Sequence, residues 1–600
     1  MLRPVIILGV VIVASVLLAA GFPHGLAQTP QVPTQKVDRS RLEVVEDLSE
    51  SLANDLLELS VATRDRDERL TAEFLPPTLM SKAFPCRPLP VKTEVKWVGK
   101  HGWAPEPATV AANTSDGGAK VALNSHAEDP NALHEMTRSA FMRDWLEFLD
   151  HFTEIEDARF KVKASSFDES ASSVPNAEVP TATVGSKGNA RVAFYVIGRN
   201  SDGQREWARG AADVGVRYAA TKRWQFETFT LISLDSMVAE TDIFSEVSKP
   251  AGVAATLPPW GSRGNPSSFV WHGACAADFD GDGTIDLFVT APDRNYLYLN
   301  DGQGHFRDAS EETGVKNLAT GVAPLAVDIN NDGAPDIFIS NAGKQILLEN
   351  RLKKDGKLWF RDISLESGVA VDAIGFSAVA ADVNGDGLPD IYVTSYNRYG
   401  QVAPNSWFNA TNGTLSLLFI NQGDGTFKEE AKKWGVDNSR WGYAAAFADV
   451  AGNGRLDLLV ANDFGEKRLF INKGDHFVDE AEARGVLDPG NGMGVAFGDY
   501  DNDGVLDIFT TNMSSTAGNR ILSRLFPNSS PKDNVLKKLA AGNDLYENTG
   551  KGYYRRVTDE VGGLAAGWAW GGGFIDFDND GWEDIYTPNG FISGKSMKDT

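Results

Sequence analysis

Hydrophobic and polar positions along the chain follow two regimes. Over Arg41–Leu75, apolar residues recur at Leu42, Val45, Leu48, Leu52 and Leu56. That spacing predicts an amphipathic helix with one buried face. Pro76 and Pro77 end it, because proline cannot continue a helical hydrogen-bond ladder. Residues 85–130 are rich in Pro, Gly, Asn and Asp and read as loop with short strands, and Asn131–Phe152 reads as a second helix. From Arg159 the period changes to the alternation of strands, over Arg159–Phe167, Arg191–Arg199, Gln204–Tyr218 and Trp224–Leu234, with Asn200-Ser-Asp-Gly203 as a hairpin turn. Helices followed by an antiparallel meander predict a small α+β domain over residues 28–240.

Beyond about residue 240 the pattern repeats, and the region 241–600 reads as one array. Its signature is a nine-residue loop, first seen as Asp278-Phe-Asp280-Gly-Asp282-Gly-Thr-Ile-Asp286. Copies begin at Asp328, Asp382, Asp449, Asp499 and Asp576. A second motif keeps step with it: Phe244–Val253 recurs as Phe306–Val315, Phe360–Val369, Phe427–Val436 and Phe477–Val486, more loosely as Tyr554–Gly563. Each unit of about 50 residues therefore supplies roughly four short strands, the content of a propeller blade. Two units are stretched, around Tyr396–Thr414 and Met513–Asn543.

The loop carries oxygen donors at positions 1, 3, 5 and 9. Oxygens at alternate positions around a tight turn suit a hard cation of calcium size. The candidate ligands are Asp278, Asp280, Asp282 and Asp286; Asp328, Asn330, Asp332 and Asp336; Asp382, Asn384, Asp386 and Asp390; Asp499, Asp501, Asp503 and Asp507; Asp576, Asp578, Asp580 and Asp584. The remaining copy has Ala451 and Asn453 at positions 3 and 5, so about five Ca2+ sites are expected. Position 6 is always Gly and position 4 always Gly or Asn. These are the residues that best tolerate positive φ, which predicts one backbone shape encoded six times. An EF-hand is excluded: each loop opens into a β-rich run, and Val289 stands where the bidentate Glu would be.

The net charge of -25 fits a cation binder and argues against nucleic acid or an anionic membrane as partner. Two cysteines in 600 residues are no disulfide scaffold. Met1–Ala27, with one Arg, an apolar run from Val5 to Ala20 and Gly25-Leu-Ala27, reads as a secretory signal peptide or an uncleaved anchor. It implies a secreted, periplasmic or cell-surface protein, in which Asn512 would begin one of several N-x-[ST] sequons. No catalytic motif stands out: His134-Glu135 is followed by Met-Thr-Arg138, which breaks the HExxH zinc pattern.

The loops resemble the FG-GAP (VCBS-type) repeats of calcium-binding β-propellers, as in integrin α subunits. Gly567-Trp-Ala-Trp570-Gly-Gly-Gly-Phe-Ile-Asp576 through Pro588-Asn-Gly590 is similar to the cartilage acidic protein-like branch. The resemblance implies a six- to seven-bladed propeller with calcium in its blade loops, acting as a non-enzymatic module that binds an extracellular protein or glycan. The alternative is an extracellular carbohydrate-active enzyme, a lyase or hydrolase, built on the propeller. The element order of residues 28–240 loosely resembles the NTF2-like cone fold.

Overall fold

The computed structural model describes residues 39–91, 98–104, 133–174, 180–239, 244–254, 273–291, 294–398, 401–531, 534–562 and 565–589. The amino-terminal leader lies outside them. The chain divides into two compact units. One comprises Met1–Ser245 with Thr516–Pro527 and Ile592–Thr600; the other comprises Glu246–Ser515 and Asn528–Phe591.

In the first unit, the expected long helix is two helices, α1 (Arg39–Arg64) and α2 (Glu68–Glu73). The Asp67 side chain accepts the Leu70 N–H and caps α2. Arg66 turns the chain at φ 53 and donates to Asp150 at 2.9 Å and to the Leu149 carbonyl at 2.8 Å. Capping and a tertiary ion pair thus break a helix whose apolar stripe runs on. The stripe itself is buried: Leu48, Leu52, Leu56 and Leu59 pack in one core with Phe84, Trp145, Phe148 and Trp224. Each such side chain contributes roughly 1.5–3 kcal/mol over its exposed state.

Strands β1 (Thr78–Ser81), β2 (Arg87–Val91) and β3 (Val98–Ala104) follow. The second predicted helix begins late, because His134–Thr137 is a strand, β4, paired antiparallel with β1. Thr137 then caps α3 (Arg138–Asp150), accepting the Ala140 N–H. The meander is longer than its alternation suggested: β5 (Phe152–Phe167), β6 (Lys187–Asn200), β7 (Arg205–Tyr218) and β8 (Trp224–Ala239). The sheet order is β2-β3-β8-β7-β6-β5, and β1 joins β8 in parallel.

The second unit opens with β9 (Ala274–Ala277), β10 (Asp286–Thr290), β11 (Asn295–Asn300) and β12 (Phe306–Asp308), an antiparallel sheet in sequential order. The same four-strand pattern returns from Ala323, Asp372, Gly442 and Gly492. Gly573–Ile575 and Asp584–Tyr586 add a two-stranded sheet. First strands pack against first strands in chain order, and apolar residues of neighbouring sheets share clusters, as Phe338 does with Phe419 at 6.0 Å.

Polar stitches hold successive sheets in register. The Phe360 N–H donates to the Thr313 carbonyl at 3.1 Å, Phe427 to Ser367 at 2.7 Å, and Tyr554 to Arg484 at 2.8 Å. This is the work of the second sequence motif. Its glycine is forced twice over. Gly485 lies at φ +80, and a Cβ there would stand 2.4 Å from the Tyr554 carbonyl oxygen. A buried ionic network also joins two sheets: the Lys538 Nζ donates to both Asp544 oxygens at 2.6 Å and lies 2.9 Å from Asp488. Arg556 Nε donates to Asp544 at 2.7 Å. Asn512 is buried with its amide on Asp544 at 2.8 Å, so the N-x-[ST] sequence there is structural.

Candidate metal centres

Each acidic loop joins the first strand of a sheet to its second. Positive φ occurs at position 4 in all six (Gly281, Asn331, Gly385, Gly452, Asn502 and Asn579) and at position 6 in all six (Gly283, Gly333, Gly387, Gly454, Gly504 and Gly581). The position-1 carboxylate is the loop's template. Asp278 accepts the N–H groups of Gly281 at 2.8 Å and Gly283 at 2.9 Å. Asp328, Asp382, Asp499 and Asp576 each accept the position-6 N–H at 2.8–2.9 Å. Position 5 accepts the position-7 N–H, as Asp282 does from Thr284, Asp332 from Ala334, Asp386 from Leu388, Asp503 from Val505 and Asp580 from Trp582. At position 3, Asn330 and Asn384 accept the N–H of the residue two on.

The ninth position does more than face the loop. Asp286 accepts Phe279 N–H at 3.0 Å on one oxygen and Asn300 N–H at 2.8 Å on the other. Asp336, Asp390 and Asp507 repeat both bonds with their own loop and third strand. Each of these four is buried. Burial pushes the Asp336 carboxyl up to about 7, and those of Asp390 and Asp507 up to about 6, against the opposing pull of two amide hydrogen bonds. The position-9 carboxylate therefore ties the loop to its sheet as well as offering a lone pair inward.

Three loops bring carboxylate oxygens within 4.8 Å of one another: Asp278 with Asp280 and Asp282, Asp499 with Asp501 and Asp507, Asp576 with Asp578 and Asp584. Burial, and then the neighbouring carboxylates, push Asp280 and Asp501 up. Such a cluster is relieved by a proton or a cation. All-oxygen donors fit calcium and offer nothing to a soft metal. The loops of Asp328, Asn330, Asp332 and Asp336 and of Asp382, Asn384, Asp386 and Asp390 repeat the hydrogen-bonded turn with an amide at position 3. In the copy at Asp449, Gly454 N–H still sits 2.7 Å from Asp449, although Ala451 supplies no side-chain donor. Loop shape is set by these hydrogen bonds, so it survives where the ligands are lost. Asn331 and Asn502 reach the Gly387 and Gly581 carbonyls of the following loops at 2.9 Å each, which places acidic loops side by side.

An FG-GAP-like repeat family matches residues 278–339, 328–393, 382–460 and 449–510. Residues 278–510 thus carry FG-GAP-like repeats, and the chain is similar to cartilage acidic proteins. Cartilage acidic protein 1 of Mus musculus is 26% identical over 347 residues, covering 53% of this chain and 48% of that protein. The Homo sapiens protein is also 26% identical, over 53% of this chain and 47% of its own length. The chain spans about half the length of these relatives. A T-cell immunomodulatory protein homolog of Plasmodium falciparum is 26% identical over 30% of this chain and 28% of its own. Among solved structures, an Agrocybe aegerita lectin that recognises non-reducing terminal N-acetylglucosamine covers 66% of this chain and 85% of its own at 14% identity, with a TM-score of 0.29. The FG-GAP loops matched by the family are the first five acidic loops; the loop at Asp576 lies beyond the matched residues and keeps the same hydrogen bonds.

Sequence reasoning missed one further cluster. His101, His151 and Glu206, in the first unit, also bring ligand atoms within 4.8 Å of one another. No spacing rule connects residues so far apart in the chain.

Proposed function

We propose that the chain is a calcium-dependent recognition or adhesion module that acts outside the cytoplasm. The FG-GAP repeats form a six- to seven-bladed propeller whose ring is held by Ca2+ in about five loops, and it binds a protein or glycan without transforming it. One observation carries this reading: the same oxygen-lined loop recurs in register, three times with carboxylate oxygens within 4.8 Å of each other. A lone acidic turn is common, but a repeated and mutually stitched one is a framework. Calcium at ten times the dissociation constant of a site would stabilise by about 1.4 kcal/mol. Five such sites would add about 7 kcal/mol, as much as the whole margin of many domains.

The ligand-bearing residues would be the twenty named above, from Asp278 through Asp584. The stretched connections near Tyr396–Thr414 and Met513–Asn543 lie at the opposite strand ends, because each follows a second strand that runs antiparallel to the first. Partner recognition is assigned to the Tyr396–Thr414 connection, because Thr516–Pro527 of the other belongs to the first compact unit. The experiment is a melt of the full chain with calcium and with EDTA, followed by glycan-array and matrix-protein binding in both conditions. The reading requires a fall of many degrees in Tm and loss of binding on chelation. An unchanged melt, or binding indifferent to calcium, would sink it.

A further inference from the structure

In the first unit, two imidazoles converge on one buried carboxylate. Glu206, on β7, has no exposed side-chain surface. His101 comes from β3 and sets its Nδ1 3.2 Å from Oε1; His151, at the C-cap of α3, sets its Nε2 2.7 Å from Oε2. The three donor atoms all lie within 4.8 Å of one another. In a tetrahedral site with bonds of about 2.0–2.1 Å, donors stand about 3.3 Å apart, so the nitrogen–oxygen separations of 3.2 and 2.7 Å lie close to, and just inside, what a single ion needs.

The surroundings hold the carboxylate ready. Ser236 donates its hydroxyl to Oε1 at 2.5 Å, and Asn200 donates its amide to Oε2 at 3.2 Å. Trp103 Nε1 in turn donates to the Ser236 hydroxyl at 3.3 Å, and its ring packs edge-on against His151 at 5.1 Å. Each oxygen thus spends one lone pair on an orienting donor and keeps the other for the imidazole side. This is the outer-shell support that fixes metal-ligating carboxylates. β3 and β8 pair His101 directly opposite Ser236, so the sheet register itself places ligand and support together. The histidines are 21% and 13% exposed, which leaves solvent access to one side.

We propose that His101, His151 and Glu206 form a mononuclear site for a divalent transition ion of the zinc type, with water completing the coordination. Two ring nitrogens and one carboxylate suit zinc and its neighbours and do not suit calcium or magnesium. The site is chemically separate from the all-oxygen FG-GAP loops and stands whether or not those loops bind calcium.

The test uses the untagged full chain, stripped by chelator and returned to buffer with millimolar Ca2+ to occupy oxygen sites. Zinc is added at micromolar free concentration and the bound metal measured by mass spectrometry. The expected result is one zinc per chain, lost in the double variant His101→Ala/His151→Ala. Ser236→Ala, which removes only the support, should weaken zinc binding about 10- to 100-fold. Should the double variant fail to fold, Co2+ in the wild-type chain decides: a low-coordinate site with imidazole ligands gives intense visible absorption, displaced by one equivalent of zinc. Absence of that absorption, no retained zinc in the folded wild type, or equal zinc in a folded double variant overturns the proposal. In each of those cases the residues are a hydrogen-bonded His–Glu–His clamp.

Discussion

The side-chain amide of Asn350 donates to the main-chain carbonyl of Phe279 at 2.9 Å. Asn350 belongs to the third strand of one repeat, and Phe279 is the second residue of the preceding repeat's acidic loop. Asn421 and Asn472 make the same bond to Ile329 and Val383, at 2.8 and 2.9 Å. The Asn350→Ala variant leaves a buried carbonyl unpaired, for a cost of about 1–3 kcal/mol. Asn350→Asp should be worse, because it turns a donor into a charge facing the Phe279 and Pro335 carbonyls. Denaturant midpoints in calcium rank the two variants; a harmless Asn350→Asp would contradict the stitch.

The acidic loops should not be equivalent. Replacing Asp278 or Asp499 by Ala removes a template for the turn and, on the proposed function, a cation ligand, and should reduce the number of bound calcium ions by one. Replacing Asp449 removes only the template, since Ala451 already leaves that loop without a donor at position 3. Calcium stoichiometry by isothermal titration should therefore fall in the first two variants and hold in the third.

The calcium effect should also depend on pH. The position-9 carboxyls of Asp336, Asp390 and Asp507 titrate in the ion-free fold at about 7, 6 and 6, against about 3.9 in an unfolded chain. A raised folded value means their contribution is complete below about pH 4 and is lost as pH climbs through 6 to 7. Calcium bound at these loops would take over the role of the protons. The difference in Tm between calcium and EDTA should accordingly widen from pH 5 to pH 8; a constant difference would show that these carboxyls do not feel the ion.

The glycines of the second motif can be ranked by approach. A Cβ at Gly485 meets the Tyr554 carbonyl oxygen at 2.4 Å, whereas one at Gly435 meets that of Phe477 at 3.1 Å. Both positions have left-handed backbone, which alone costs an alanine about 1–2 kcal/mol. Gly485→Ala should exceed Gly435→Ala in lost stability, because its Cβ must displace a strand carbonyl much further. Equal losses would place the whole effect in the backbone angle.

Two buried lysines should respond in opposite ways. Lys467 Nζ makes no hydrogen bond and lies 3.8 Å from Asp544; burial pushes its ammonium down. Asp544 is already satisfied by Lys538 and Arg556. Lys467→Met is expected to be neutral or stabilising by about 1–4 kcal/mol, and Lys538→Met to cost about 3–5 kcal/mol. Thermal melts of the two variants in the same buffer make the comparison.

The array was legible because one loop needs the same residue at the same place each time. Gly283 and Asn331 announce positive φ in the sequence, and both adopt it. Asp286 was legible as an oxygen donor but not as a tie between loop and strand, since its amide partner Asn300 is identified only once β10 and β11 pair. In the first unit the stripe from Leu48 to Leu56 was plain. The break at Arg66 was hidden, because the cap at Asp67 and the ion pair with Asp150 interrupt the backbone without interrupting the apolar period. His134–Thr137 read as helix because four residues carry too little alternation to betray a strand. The cluster of His101, His151 and Glu206 had no local signal at all; only sheet register brings its members together.

The Thr414 N–H donates to the Tyr396 carbonyl at 2.7 Å and closes the base of a stretched connection, while the stitches through Asn350, Asn421 and Asn472 run through other parts of the repeat. Chain length between those closing residues is therefore uncoupled from register. Within the segment, Ala410 N–H donates to the Phe464 carbonyl and Trp441 Nε1 donates to Asn412, so changes of length are tolerated where they spare those two anchors to the following repeat.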